Sequence, residues 1–144
     1  MGEKDTRDGV ARLSLYLLDS TVLIAHLRGD SASTKFLLDL LAANHAFGTS
    51  CVNVAEVERG VRPKERKAVT GLLSRLRFLE TTREAAMRAG RYQAEFERRG
   101  RAIHTADALI AGTARVHGAI LLTDNVRDFP MRDIRVEPLP PSQT

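Results

Sequence analysis

The chain has 144 residues, of which 43% are hydrophobic and 28% are charged, a balance typical of one soluble globular domain and not of a disordered or fibrous protein. Cys51 is the only cysteine, which excludes an intramolecular disulfide or a cysteine-based zinc site and favours a reducing cytoplasm. The apolar runs are too short to cross a bilayer and residues 1–12 contain no signal-peptide core, so we expect neither a membrane protein nor a secreted one.

Charge is distributed unevenly along the chain, although the net charge is only +4. Residues 59–101 contain 13 Lys or Arg against 5 Asp or Glu, a net of +8, whereas the remaining residues contain 9 against 13, a net of −4. A basic surface that attracts phosphates beside an acidic pocket that holds cations suits a metal-dependent enzyme acting on a polyanion. The alternative is a set of solvated helix faces, on which arginine is common.

Hydrophobic periodicity and capping residues predict short apolar strands that alternate with helices. The strands are predicted at residues 13–18, 46–50, 78–80, 119–123 and 134–137. The helices are predicted at 22–27, from a Ser31 or Ser33 cap to just before His45, at 53–59, at 63–76, from the Thr82 cap to 99 and from the Thr105 cap to 117, with a helical turn at 125–129. This alternation is typical of a parallel sheet covered on both faces.

The sequence therefore predicts the α/β class, as a three-layer α/β/α sandwich with a central parallel sheet. We expect this domain to cover residues 13–137. A flexible arm at residues 1–12 is expected before it and a tail at residues 138–144 after it.

Acidic residues recur at predicted strand ends or in the first turn of the following helix: Asp19, Glu56, Asp107 and Asp124, with Asp128 one helical turn farther on. In open α/β sheets, ligands bind outside the carboxyl ends of the strands. Taken singly, each acid is explained by helix capping or by the helix dipole. Asp19 and Asp107, however, lie in apolar sequence, where desolvating a lone carboxylate is costly. A bound cation would remove that cost.

Carboxylate ligands without histidine or cysteine at metal-ligand spacing favour Mg²⁺ or Mn²⁺ over zinc or copper. Sites of this kind bind through a few carboxylates together with water and substrate phosphate. A metal so held polarises a phosphate and activates an attacking water. The acids therefore predict a metal-dependent phosphoryl-transfer enzyme.

Four segments of the chain resemble, in the correct order, the motifs of PIN-domain ribonucleases, and in particular of VapC-like toxins of type II toxin–antitoxin systems. They are Leu-Leu-Asp-Ser-Thr-Val-Leu-Ile at 17–24, Val-Ala-Glu-Val-Glu-Arg-Gly at 54–60, Ala-Asp-Ala-Leu-Ile-Ala at 106–111 and Leu-Leu-Thr-Asp-Asn-Val-Arg-Asp-Phe at 121–129. The resemblance extends over nearly the whole chain, from about residue 15 to residue 136. Each motif alone is weak, but the ordered set is specific.

The resemblance implies a set of catalytic metal-binding carboxylates, at Asp19, Glu56 and Asp107. It also implies that the hydroxyl of Ser20 or Thr21 supports the site. The fourth acidic position is left open between Asp124 and Asp128, and we rank Asp124 first.

The resemblance also implies substrate and partners. We expect RNA as the substrate, hydrolysis of its phosphodiester bonds by a metal-activated water, inhibition by a cognate antitoxin protein, and a homodimer. The alternative within the same fold is a catalytically idle PIN-like domain that serves as an RNA-binding or assembly subunit, which the intact acids disfavour.

Two other folds that gather acids at strand ends fit less well. A signalling receiver domain needs an acid pair after its first strand and a late lysine, whereas Ser20 follows Asp19 and no lysine follows Lys67. A haloacid-dehalogenase-type phosphatase needs a second aspartate where this chain has Thr21.

Overall fold

The computed structural model describes residues 4–5, 10–11 and 13–140. Two short strands, β1 (Lys4–Asp5) and β2 (Val10–Ala11), pair antiparallel within the expected N-terminal arm. The rest of that arm, and residues 141–144 of the expected tail, lie outside the described residues.

A five-stranded parallel sheet forms the centre of the molecule, in the order β5-β4-β3-β6-β7. Its strands are β3 (Leu15–Leu18), β4 (Ala46–Ser50), β5 (Arg77–Leu79), β6 (Ile120–Thr123) and β7 (Val136–Pro138). The central pair is aligned with Leu17 opposite Leu121 and Leu18 opposite Leu122. β3 and β6 are nearly continuous apolar runs because helices cover both faces of the sheet.

Within the described residues, the two outer layers consist of six α-helices: α1 (Ser20–Leu27), α2 (Ser31–Ala42), α3 (Cys51–Gly60), α4 (Arg66–Arg75), α5 (Arg83–Glu97) and α6 (Thr105–His117). Leu17 and Leu121 pack with α5 and α6 in one core cluster. Leu18 and Leu122 pack with α1 to α4 in the other. The predicted three-layer α/β/α sandwich is confirmed, and none of the helices in the described ranges is long and apolar enough to cross a membrane.

Helix starts differ from the sequence prediction where several capping residues compete. Asp30, and not Ser31 or Ser33, caps α2, because its carboxylate accepts a hydrogen bond from the backbone N of Ser33 at 3.1 Å. Thr105 is the first residue of α6 and does not cap it, since its hydroxyl instead accepts from Gln93 Nε2 at 3.0 Å.

The helix predicted at 53–59 begins at Cys51, because Ser50 caps it by accepting from the backbone N of Asn53 at 3.4 Å. The helix predicted at 63–76 is divided into a 3-10 turn at Pro63–Glu65 and α4.

The last strand also lies later than predicted. It was expected at 134–137, but β7 covers Val136–Pro138 and therefore includes the first residue of the expected tail. A proline is tolerated there because β7 is an edge strand, in which one backbone N–H is dispensable. Leu139 then donates its backbone N–H to Thr123 O at 3.1 Å and is buried.

Candidate active site

The acidic site lies at the carboxyl edge of the sheet, where the chain order reverses. β3 has β4 and β6 as its neighbours in the sheet. The chain passes from β3 outward to β4 in one direction, and later from β6 outward to β7 in the opposite direction. Asp19 directly follows β3 and Thr123 ends β6. Such a switch point is the usual ligand crevice of an open α/β sheet.

Asp19 is a buried carboxylate that accepts several hydrogen bonds, and only 5% of its surface is exposed. It caps α1 with an extended backbone, and its Oδ1 accepts from Ser20 N at 2.9 Å and from Asn53 Nδ2 at 3.3 Å. Its Oδ2 accepts from Thr123 Oγ1 at 2.7 Å and from Thr21 Oγ1 at 3.3 Å. Four donors therefore fix the orientation of this side chain.

Burial raises the pKa of Asp19, against the lowering effect of the hydrogen bonds from Thr123 and Ser20, and the negative charge of Glu56 raises it further. Neutral donors thus compensate only part of the cost of holding this carboxylate out of water.

Glu56 joins the site through the hydroxyl of Ser20, which donates to Glu56 Oε1 at 2.5 Å. Asn53 Nδ2 in turn donates to Ser20 Oγ at 3.1 Å, and Asn53 Oδ1 accepts from Ser50 Oγ at 2.6 Å. Asn53 and Glu56 are three residues apart on α3 and so share one face of the helix. This chain of bonds connects the start of α3 to the start of α1.

Asp107 lies in the first turn of α6 and is partly buried. Burial raises its pKa to about 6, and the negative charges of Asp128, Asp19 and Glu56 add to the increase, whereas His104 opposes it. Asp107 therefore shares one electrostatic environment with the three other acids.

The two candidates for the fourth acidic position are both exposed. The charge of Asp128 acts on the pKa of Asp107, whereas Asp124 is not among the groups that shift it. Asp124 instead contacts the site through its backbone N, which donates to Thr21 Oγ1 at 3.2 Å.

The acids carry uncompensated negative charge. In the chain as the structure describes it, no lysine or arginine forms an ion pair with Asp19, Glu56, Asp107, Asp124 or Asp128. Among the described residues, no three acidic, histidine or cysteine side chains are grouped closely enough to hold a metal ion by themselves. Because Mg²⁺ usually takes one or two carboxylates and completes its shell with water and phosphate, the donor set fits this ion.

Two buried residues of the site were missed from the sequence. Asn53 and Thr123 are both 0% exposed, and both donate to Asp19. Their positions carried a signal, since Asn53 precedes Glu56 by one helical turn and Thr123 ends the strand before Asp124.

Comparison with known proteins agrees with the motifs. The PIN domain family profile matches residues 16–134. Ribonuclease VapC10 of Mycobacterium tuberculosis is 39% identical over 117 residues, which cover 81% of this chain and 87% of that protein. The tRNA(fMet)-specific endonuclease VapC of Shigella flexneri is 31% identical over 119 residues, covering 79% and 89%.

Among solved structures, VapBC2 from Rickettsia felis, bound to a DNA fragment from its promoter, contains a chain that superposes with a TM-score of 0.77 at 25% identity, over 86% of this chain and 98% of that one. The family profile covers most of the chain, including all five acids of the site. The chain belongs to the PIN-domain family, within its VapC ribonuclease branch.

Proposed function

We propose that this protein is an endoribonuclease that hydrolyses phosphodiester bonds of RNA and acts as the toxin of a toxin–antitoxin pair. The observation that carries the proposal is the buried carboxylate of Asp19, fixed by four donors beside Glu56 and Asp107 with no cationic side chain paired to it. The names of its relatives, a ribonuclease and a tRNA(fMet)-specific endonuclease, support the same activity.

A divalent cation, Mg²⁺ or Mn²⁺, is proposed as the cofactor, with Asp19, Glu56 and Asp107 as its carboxylate ligands. When bound, such an ion polarises the scissile phosphate and lowers the pKa of an attacking water. Hard carboxylate oxygens without thiolate or imidazole partners support this choice. For the fourth acidic position, the effect of Asp128 on Asp107 now supports Asp128 over Asp124, the reverse of the ranking from sequence.

The neutral residues of the site are proposed to act by orientation. Thr123, Thr21 and Asn53 direct both oxygens of Asp19, and Ser20 holds Glu56 toward the same point. A carboxylate fixed in this way does not have to reorganise when its cation and the phosphate arrive.

A cognate antitoxin protein as inhibitor, a homodimer and a cytoplasmic location complete the proposal. The solved structure of Rickettsia felis VapBC2 bound to a promoter DNA fragment, in which one chain superposes on this one, supports a protein partner. The single cysteine is consistent with a reducing compartment.

The test is cleavage of a mixed pool of structured RNAs by the purified, antitoxin-free protein in Mg²⁺ or Mn²⁺. EDTA and Asp19→Asn should each abolish cleavage, because the substitution removes a ligand charge at nearly constant volume. Asp39→Asn is the matched control, since Asp39 is an exposed aspartate of α2 that pairs with Lys35 at 3.0 Å. Binding of RNA without cleavage in any metal would instead support the idle RNA-binding subunit.

A further inference from the structure

A groove rich in arginine runs along one face of α5. It has a volume of about 550 Å³ and lies between α5 and the segment that precedes β7. Its basic lining residues are Arg88, Arg91, Arg98, Arg99 and Arg132. Glu95 and Asp133 are the acidic ones, which leaves a net charge of +3 on the groove.

Arg91, Arg98 and Arg99 follow Arg88 at spacings of three, ten and eleven residues, so the four arginines lie on one face of α5 and of the turn that ends it. With a rise of 1.5 Å per residue, Arg88 and the C-cap residue Arg98 are about 15 Å apart along the helix axis. The basic face is therefore long enough to follow several nucleotides of a strand.

The acidic residues of the groove are already engaged by other partners. Asp133 accepts a hydrogen bond from Tyr92 Oη at 2.8 Å and lies 3.8 Å from Arg88 and 3.4 Å from Arg115. Glu95 is 3.9 Å from Arg99. Neither carboxylate is left to neutralise the remaining arginines.

Arg91, Arg98 and Arg132 are exposed and, among the residues that the structure describes, have no carboxylate within ion-pair distance. Guanidinium groups bind phosphate oxygens in a planar, bidentate geometry. The free charge of the groove thus suits a phosphate-bearing ligand.

The floor of the groove does not offer aromatic surface to a ligand. Tyr92 is 4% exposed and Phe96 is 8% exposed, because both rings pack into the core cluster below α5. Bases cannot stack on rings that are buried in this way. The groove is therefore suited to contacts with the backbone of a nucleic acid, which position it without recognising its sequence.

The end of α5 is connected to the segments that carry the catalytic acids. Gln93 Nε2 donates to Ile103 O at 2.9 Å and to Thr105 Oγ1 at 3.0 Å, two residues before Asp107. Arg101 donates to the backbone O of Arg127, the residue before Asp128. The C-terminal end of α5 therefore lies on the side of the molecule that carries Asp107 and Asp128, so the Arg98 end of the groove is the end nearer to the acids.

We infer that this arginine groove binds backbone phosphates of the RNA substrate outside the scissile bond. The inference rests on the proposed ribonuclease function and adds to it a second contact surface. Such a surface increases affinity for structured RNA of any sequence and leaves the chemical step to the acids.

The experiment compares two triple variants that remove the same charge. Arg91→Gln, Arg98→Gln and Arg132→Gln together alter the groove, and Lys64→Gln, Lys67→Gln and Arg75→Gln, all exposed and near or on α4, are the control. Fluorescence anisotropy in EDTA measures binding of a labelled RNA hairpin, and of one with a shuffled stem, over a range of salt concentrations.

The groove variant should bind both hairpins at least about tenfold more weakly at low salt, and its plot of log affinity against log salt should be shallower by about 2 to 3 units, since each lost phosphate contact removes roughly 0.7 to 0.9. The control variant should change far less. In cleavage, the groove variant should raise KM with kcat near the wild-type value, and thermal melting should show that both variants are folded.

Equal losses in the two variants would mean that total charge alone attracts RNA, and would overturn the assignment. Unchanged RNA binding by the groove variant would also overturn it. If the wild-type protein cuts RNA and the groove variant behaves identically, only the groove inference fails. If the groove is needed for binding but nothing is cut, only the proposed activity fails.

Discussion

Thr123 Oγ1 donates a 2.7 Å hydrogen bond to Asp19 Oδ2, although the two residues are 104 positions apart in the chain. The contact follows from the sheet. Leu18 and Leu122 are opposite each other in the parallel pair β3 and β6, so the next residue of each strand emerges at the same edge. Both side chains are buried, and Thr123 therefore helps to determine how Asp19 faces the site.

Thr123→Val should lower divalent-metal affinity and cleavage by about 10- to 100-fold, the usual effect of losing a partner that orients a metal ligand. The substitution removes the donor to Asp19 and also the acceptor for Asn125 N, which lies 2.9 Å away. Cleavage measured over a range of Mg²⁺ and Mn²⁺ concentrations gives both effects.

Thr123→Ser is the matched control because it keeps the hydroxyl and loses only a methyl group. It should retain most of the activity. A valine variant with the metal dependence of the wild type would show that Thr123 only packs against Asp19.

Asp128→Asn should impair cleavage more than Asp124→Asn. Asp128 raises the pKa of Asp107 by its negative charge, so its neutralisation should also lower that pKa in metal-free protein. Carboxyl chemical shifts of Asp107, followed by NMR over a pH series in EDTA, report this without any cleavage assay. A larger effect from Asp124→Asn in both measurements would restore the ranking made from sequence.

In the absence of divalent cations, the acidic site should make the folded protein less stable as pH rises. The pKa of Asp107 is about 6 in the fold against an ordinary 3.8, so between these values the folded state binds more protons than the unfolded state. The free energy of unfolding must then fall as pH increases through that window.

Asp107→Asn removes this penalty. In EDTA, the melting temperature of the variant minus that of the wild type should therefore increase from about pH 4 to about pH 6 and stay constant at higher pH. Excess Mg²⁺ should stabilise the wild type more than the variant, because a ligand that binds only the folded state adds to its stability. A difference between the two proteins that does not change with pH would contradict the raised pKa.

The sequence was sufficient to place the backbone of the site but not its hydrogen bonds. Asp19 and Asp107 could be located because an apolar strand and a helix start define their positions locally. The bond from Thr123 to Asp19 depends on which strands become neighbours and in what register, which no local pattern records. The cap of α2 was missed for a related reason, since Asp30, Ser31 and Ser33 all suit a helix start.

The packing of α6 against α5 gives a case in which helix propensity and tertiary structure oppose each other. A Cβ atom added at Gly112 would lie 2.3 Å from the backbone O of Ala85 and 3.4 Å from the backbone N of Ala89. Neither atom can move without displacing α5. Alanine normally stabilises a helix relative to glycine by roughly 0.5 to 1 kcal/mol, and at this position the steric cost should exceed that gain.

Gly112→Ala should therefore destabilise the protein by about 1 to 3 kcal/mol, the usual range for overpacking a core. Gly90→Ala, on the exposed side of α5 with no atom within 4 Å of the added Cβ, should stabilise it instead. Urea unfolding of the two variants gives the comparison.

The same pair of variants should also differ in cleavage. Because α6 begins two residues before Asp107 and α5 carries the arginine groove, displacement of one helix from the other should reduce cleavage in Gly112→Ala, whereas Gly90→Ala should leave it unchanged. Equal stabilisation by both substitutions would mean that the two helices separate at little cost, and that their close packing does not hold Asp107 in place.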